Sequence, residues 1–180
     1  MQYHVDPGVS RFTVRAFAGG MLSALAHNPT FAVRQYDGEV QFDGTTSAAL
    51  TLSIQAPSLE LTDDVSSKDQ REIERVLHKE VLDDAQFPTI VYESPPSATT
   101  IAPAGDGQFT VTMNGDMTLR GVKRRQPITA RLVAGPDMLR AYGEFSIRQT
   151  DYGIKPFVGA GGTIKVKDEL KCTFDMSARP

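Results

Sequence analysis

Leu82-Asp83-Asp84-Ala85-Gln86-Phe87-Pro88-Thr89-Ile90-Val91-Tyr92-Glu93-Ser94 carries the chain from a helical pattern into a strand, with a proline at the join. Upstream, Ile73, Val76, Leu77 and Val81 share one stripe of a helix. The stripe predicts a helix over Lys68 to Leu82, with Ser67 and Gln70 as a capping box at its start. Pro88 has no N–H to continue that helix, and it pushes Phe87 toward extended geometry. Thr89 to Ser94 alternates and is rich in β-branched and aromatic residues, so it reads as a strand. One substantial helix is therefore inserted among strands.

Toward the N-terminus, the turn at Asp6-Pro7-Gly8 precedes a strand that sets Phe12, Val14 and Ala16 against Arg11, Thr13 and Arg15. Gly19-Gly20 to Pro29 breaks the alternation, and its Met21, Leu22 and Leu25 suit a short helical turn. Thr30 to Phe42 reads as one strand whose parity slips near Gln35, which predicts a bulge or sharp bend. Ala48 to Ala56 alternates without error, and Pro57 closes it.

Beyond the junction, a Pro-, Ser-, Ala- and Gly-rich connection with a short strand near Ile101 leads to the longest strand. That strand sets Phe109, Val111, Met113, Gly115, Met117 and Leu119 on one face, and Gly121 ends it. Pro127 to Val133 begins the return, and Gly135-Pro136-Asp137 turns again. Two further strands put Leu139, Ala141, Gly143, Phe145 and Ile147, then Leu170, Cys172, Phe174 and Met176, on their apolar faces.

About eight strands, each apolar on one face and joined by short connections, describe antiparallel pairing around one interior. The class is all-β with one inserted α-helix packed against the sheet, and both a sandwich and an eight-stranded lipocalin-like antiparallel barrel fit. The long strands favour the barrel, because closure removes their exposed edges. At 180 residues a single domain, 1–180, with a sizeable core is expected.

A net charge of −3 gives no basic field for a phosphate backbone, so nucleic acid is not expected. Cys172 is the only cysteine, which rules out an internal disulfide and a Cys-rich zinc site. No stretch reaches the ~20 apolar residues of a membrane span. Met1 is followed by Gln2-Tyr3-His4-Val5-Asp6-Pro7, with no charged segment and apolar run such as secretion needs, and the reading is cytoplasmic.

On the apolar faces, Gly115, Ala130, Ala141 and Gly143 are small among large neighbours. Eight-stranded barrels sit at the size where the interior is either filled or holds one small ligand. These positions therefore mark either a cavity or bend points where a curved strand needs little side chain. Phe109, Met113, Met117 and Phe145 suit a flexible apolar ligand, since methionine adapts its shape.

The order of motifs resembles the YceI family of lipocalin-like proteins over nearly the whole chain. The pieces are Tyr3-His4-Val5-Asp6-Pro7 with Ser10, Ala26-His27-Asn28-Pro29-Thr30-Phe31, Asp37-Gly38-Glu39-Val40, Phe87 to Ser94, Gly115-Asp116-Met117-Thr118-Leu119-Arg120-Gly121-Val122, and Asp151-Tyr152-Gly153-Ile154. The chain departs from the family in lacking the leader of its periplasmic members, and in carrying Arg120 and Lys123-Arg124-Arg125 around a hairpin. The resemblance implies a bacterial barrel that binds a polyisoprenoid or an isoprenoid quinone in its lumen, in storage or transport and with a link to stress response, and without established catalytic chemistry.

On that reading the lumen is expected to be lined by Phe12, Val14, Phe31, Val33, Leu52, Ile54, Tyr92, Phe109, Val111, Met113, Met117, Gly143, Phe145 and Phe174. His27, Asn28 and Asp151 are candidates for polar contacts at its mouth. No cofactor is expected beyond such a lipid, and a homodimer is left open.

Other chemistry has weaker support. His27 is either a head-group contact or a turn histidine bonded to backbone. His78, off the helix stripe, and His4, beside the turn, read as surface residues. No two histidines stand at metal-ligand spacing with a carboxylate, so no metal is expected. Lys123-Arg124-Arg125 suits either a diphosphate or a solvated hairpin. Gly159-Ala160-Gly161-Gly162 lacks the strand and helix of a phosphate loop, and Asp63-Asp64 and Asp83-Asp84 read as caps and turns. Cys172 behaves as a small hydrophobe, and no GxSxG-type motif is present. The chain is not expected to be an enzyme. Two other readings stand beside the lipid binder: a cyclase or isomerase with His27 and Asp151 at the mouth, and a filled barrel serving as an interaction protein.

Overall fold

A computed structural model of the chain describes residues 1–19 and 28–180. The strands in order are β1 (Gln2–Val5), β2 (Arg11–Arg15), β3 (Ala18–Gly19), β4 (Thr30–Val33), β5 (Tyr36–Phe42), β6 (Ala48–Gln55) and β7 (Leu59–Leu61). After the helix come β8 (Thr89–Ser94), β9 (Thr99–Gly105), β10 (Gln108–Leu119), β11 (Val122–Ala134), β12 (Leu139–Arg148), β13 (Val158–Gly159), β14 (Ile164–Val166) and β15 (Glu169–Arg179).

Eight strands close the barrel in the order β1-β5-β6-β8-β10-β11-β12-β15, and β1 returns to β15 through His4↔Arg179 and Val5↔Ala178. All these pairings are antiparallel. Beyond β1, the same edge of β15 goes on to pair β2, from Asp175↔Arg11 to Lys171↔Arg15. Ser10 pins the bend between β1 and β2, accepting the Ser177 N–H at 3.0 Å and donating to the Ser177 carbonyl at 3.3 Å. β2 pairs β4, and β4 pairs β7.

The expected single strand Thr30 to Phe42 is thus two strands. β4 and β5 meet at a corner over Arg34-Gln35 and join different neighbours, which is why parity slips there. β7 and β1 are too short for a periodic signal, and the short strand expected near Ile101 is the seven-residue β9. The turn expected at Met21, Leu22 and Leu25 lies outside the described residues.

Past Gln55↔Thr89 the pairing of β6 with β8 ends, and among the described residues β7 has no strand on its outer edge. The helix covers it. This element, α1, is α-helical over Ser67–Arg75 and continues as a π-helix over Val76–Leu82. Its N-cap is Ser66, not the expected Ser67, and the Ser66 hydroxyl accepts the Asp69 N–H at 3.1 Å. Asp83, at φ +48°, ends it in the left-handed C-cap conformation.

The π half buries Val76, Leu77 and Leu82, whereas the α half buries none of its residues. His78, expected at the surface, is half-buried, with its Nδ1 in hydrogen-bond contact with Asp84 Oδ2 at 2.5 Å. The β11–β12 ladder is short: paired residues run only from Ala134↔Leu139 to Arg131↔Tyr142. The Gln126 side chain spans the seam by donating to the Ser146 carbonyl at 3.2 Å.

Candidate functional site

The inward faces of the barrel enclose a cavity of about 590 Å³. Its wall is almost wholly apolar, as the parity of β2, β5, β6, β10, β11, β12 and β15 dictates. Of the expected lumen residues, Phe12, Val14, Phe31, Val33, Leu52, Ile54, Tyr92, Val111, Met113, Met117, Phe145 and Phe174 stand on this wall.

Phe109 and Gly143 are off the wall. Phe109 packs edge-to-face on Phe42, with ring centroids 5.6 Å apart, at the end of the barrel away from the helix. Gly143 pairs Phe174, whose ring lies over it: a β-carbon there would stand 3.1 Å from that ring and 2.8 Å from the Thr129 carbonyl. The space above Gly115 is likewise taken by the Tyr92 ring. These glycines are sites of close approach covered by a neighbour's aromatic ring, not sources of volume. Ala130 and Ala141 do face the cavity.

The wall includes groups that strand reasoning did not assign to it. The helix contributes Ile73, Val76, Leu77, Val81 and Leu82, because its stripe faces the lumen where no strand continues. Ile154, from the Asp151-Tyr152-Gly153-Ile154 motif, is fully buried on the wall. Gln149, 2% exposed, is there too, its amide donating to the Lys167 carbonyl at 2.9 Å. It continues the odd parity of β12, a signal the sequence did carry. The charged members of the wall are Asp69 and Glu72, in the solvent-exposed first half of the helix. With Pro29 and with Ala18 and Val166 of the small β13-β14-β3 sheet, they mark the mouth.

The mouth candidates separate. His27 lies outside the described residues. Asn28 accepts the Ala18 N–H at 2.8 Å, so its side-chain oxygen ties β3 to the start of β4. Asp151 is exposed and off the wall, and its main-chain carbonyl accepts from Arg124 Nε at 3.1 Å.

The basic hairpin is committed to the barrel. Lys123 pairs Glu93 at 3.5 Å and Arg125 pairs Asp116 at 2.9 Å. Arg120 Nη1 donates to the helix-end carbonyls of Glu80 (3.1 Å) and Val81 (3.4 Å). The Cys172 thiol is on the wall, and burial pushes its pKa up to about 12. It is therefore neutral through the physiological range. The Tyr152 hydroxyl is buried with no hydrogen-bond partner among the described residues, and burial first, then the Asp151 charge, pushes it up to about 12. Among the described residues no group of three or more His, Cys, Asp or Glu could hold a metal ion, and no helix is long and apolar enough to cross a membrane.

A closed eight-strand barrel with an apolar lumen and a helix in its wall defines a lipocalin-like protein. The YceI-like domain model matches residues 3–178, and the chain belongs to that family. Among solved structures it is similar to BcnA of Burkholderia cenocepacia, with 19% identity and a TM-score of 0.67 over 96% of this chain and 98% of that one. It is similar also to a polyisoprenoid-binding domain from Saccharophagus degradans implicated in plant cell wall breakdown, with 12% identity and a TM-score of 0.70 over 98% and 97%. A Campylobacter jejuni YceI protein shares 11% identity and a TM-score of 0.57 over 86% of each chain. At these identities the likeness is one of fold. No curated protein matches the sequence.

Proposed function

We propose that residues 1–180 act as one lipid-binding domain that holds a long apolar chain of polyisoprenoid or isoprenoid-quinone type in the barrel lumen, for storage or transport. The apolar cavity of about 590 Å³ inside the barrel carries this reading. That volume falls within the ~300–1,000 Å³ of small-molecule sites. The family supports the choice of an isoprenoid, as does the described ligand class of the Saccharophagus degradans neighbour. A stress-linked role rests on the family resemblance alone.

The cavity tells against a filled barrel. Catalysis on the bound chain has less support than binding, since the Cys172 thiol is held neutral and Asp151 is away from the wall. Organic extraction of the purified protein, with mass spectrometry of the extract, tests the proposal. A stoichiometric isoprenoid is expected; an extract without lipid, from protein that also takes up none from isoprenoid-loaded vesicles, overturns it.

A further inference from the structure

The two halves of the helix are held to the barrel in different ways. The π half is anchored by buried Val76, Leu77 and Leu82, and by Arg120 on its terminal carbonyls. The α half buries no residue, yet Asp69, Glu72 and Ile73 from it form the cavity wall at the mouth. Among the described residues, one hydrogen bond joins this half to the barrel: the Leu61 N–H, on the outer edge of β7, donates to Glu74 Oε1 at 3.3 Å.

At the boundary, Arg75 holds Glu72 at 2.7 Å on one side and Glu80 at 2.9 Å on the other. The change from α to π winding there alters the hydrogen-bond register of the helix, and π turns are frequent at functional sites. We infer that residues 67–75 form a flap over the mouth of the lumen, hinged at the α-to-π boundary and latched by Glu74 on the free edge of β7. This rests on the lumen being the lipid site.

The physical logic is one of unequal cost. Lifting the π half would expose three buried apolar side chains, whereas lifting the α half breaks one long hydrogen bond and exposes the half-buried Ile73. The Leu61 N–H so freed meets water at once, so it is not left buried and unpaired. The flap can therefore open while the barrel and the π half stay folded, as the least stable units of a fold do. An apolar chain could then pass between helix and β7 without unpairing a strand.

Two measurements test this. Hydrogen exchange on the ligand-free protein should show amides of residues 70–75 exchanging at least tenfold faster than those of 78–82. Equal protection through both halves overturns the flap whether or not any lipid binds. Stopped-flow release of phenylnaphthylamine, an apolar fluorophore, should quicken about fivefold in Glu74→Ala, the factor corresponding to about 1 kcal/mol for a lost hydrogen bond. Glu74→Gln, which keeps an acceptor oxygen, should release at close to the wild-type rate with an unchanged melting temperature. Release unaltered in Glu74→Ala overturns the latch. A wild type that binds no fluorophore and yields no lipid counts against the lipid site itself, and the exchange measurement still judges the flap.

Discussion

Tyr92 lies across Gly115. Its hydroxyl accepts the Gly115 N–H at 3.2 Å and donates to the Gln126 carbonyl at 3.1 Å. One side chain of β8 thus ties β10 to β11 from inside the barrel. A β-carbon at position 115 would stand 2.5 Å from the Glu93 carbonyl and 2.7 Å from the Tyr92 ring. Gly115→Ala should therefore destabilise the protein by about 1–3 kcal/mol through overpacking. Tyr92→Phe should cost about 1–2 kcal/mol by leaving buried backbone groups unpaired. Urea unfolding checks both.

Gly143 repeats the arrangement with Phe174. Gly143→Ala should destabilise by about 1–3 kcal/mol. Trimming the ring in the double variant Gly143→Ala/Phe174→Leu should cost less than the sum of the two single changes, because the ring contact at 3.1 Å is relieved. Additive losses in a double-mutant cycle would mean that the Thr129 carbonyl, at 2.8 Å, is the whole obstacle.

Ala141, half-buried on the cavity wall, faces open volume instead. Ala141→Leu should lower phenylnaphthylamine affinity about tenfold while the melting temperature holds or rises, since the added methylenes displace ligand and not protein. Fluorescence titration and a thermal melt, run together, give both readings.

Arg120 and Gly121 are the central residues of the β10–β11 hairpin, with φ +50° and +74°. Asparagine before glycine is the favoured pair for such a turn, so arginine at this position is costly unless its side chain is used. Arg120→Asn should relax the turn but free the Glu80 and Val81 carbonyls. The expected result is a net change within about 1 kcal/mol, with faster amide exchange confined to residues 80–84.

Cys172 and Tyr152 give the pH dependence. Their ordinary values are 9.0 and 10.0, and both are pushed up to about 12 in the fold. The folded state then holds its protons more tightly than the unfolded state, so stability is complete below about pH 9 and falls as pH rises toward 12. Denaturant midpoints measured from pH 8 upward should decline over that window. In the native protein Cys172 should resist iodoacetamide at pH 8, and it should react on unfolding.

The inward face of each long strand could be read from the residues alone, because side chains alternate with period two whatever the neighbours are. So could the helix before Pro88, and the ordered motifs were enough to reach the family. Gln149 was legible too, as the next odd position after Ile147.

Where the volume lies depends on how the strands come together. The space above a glycine belongs to whichever side chain the adjacent strand brings over it. That depends on register between segments far apart in sequence, such as Gly143↔Phe174, and on the direction of each ring. Parity put Phe109, Gly115 and Gly143 among the inward residues, but Phe42, Tyr92 and Phe174 pack against them. The corner at Arg34-Gln35 and the edge of β7 that pairs no strand were equally out of reach, since each is a choice of partner. That edge is what lets the helix complete the lumen wall.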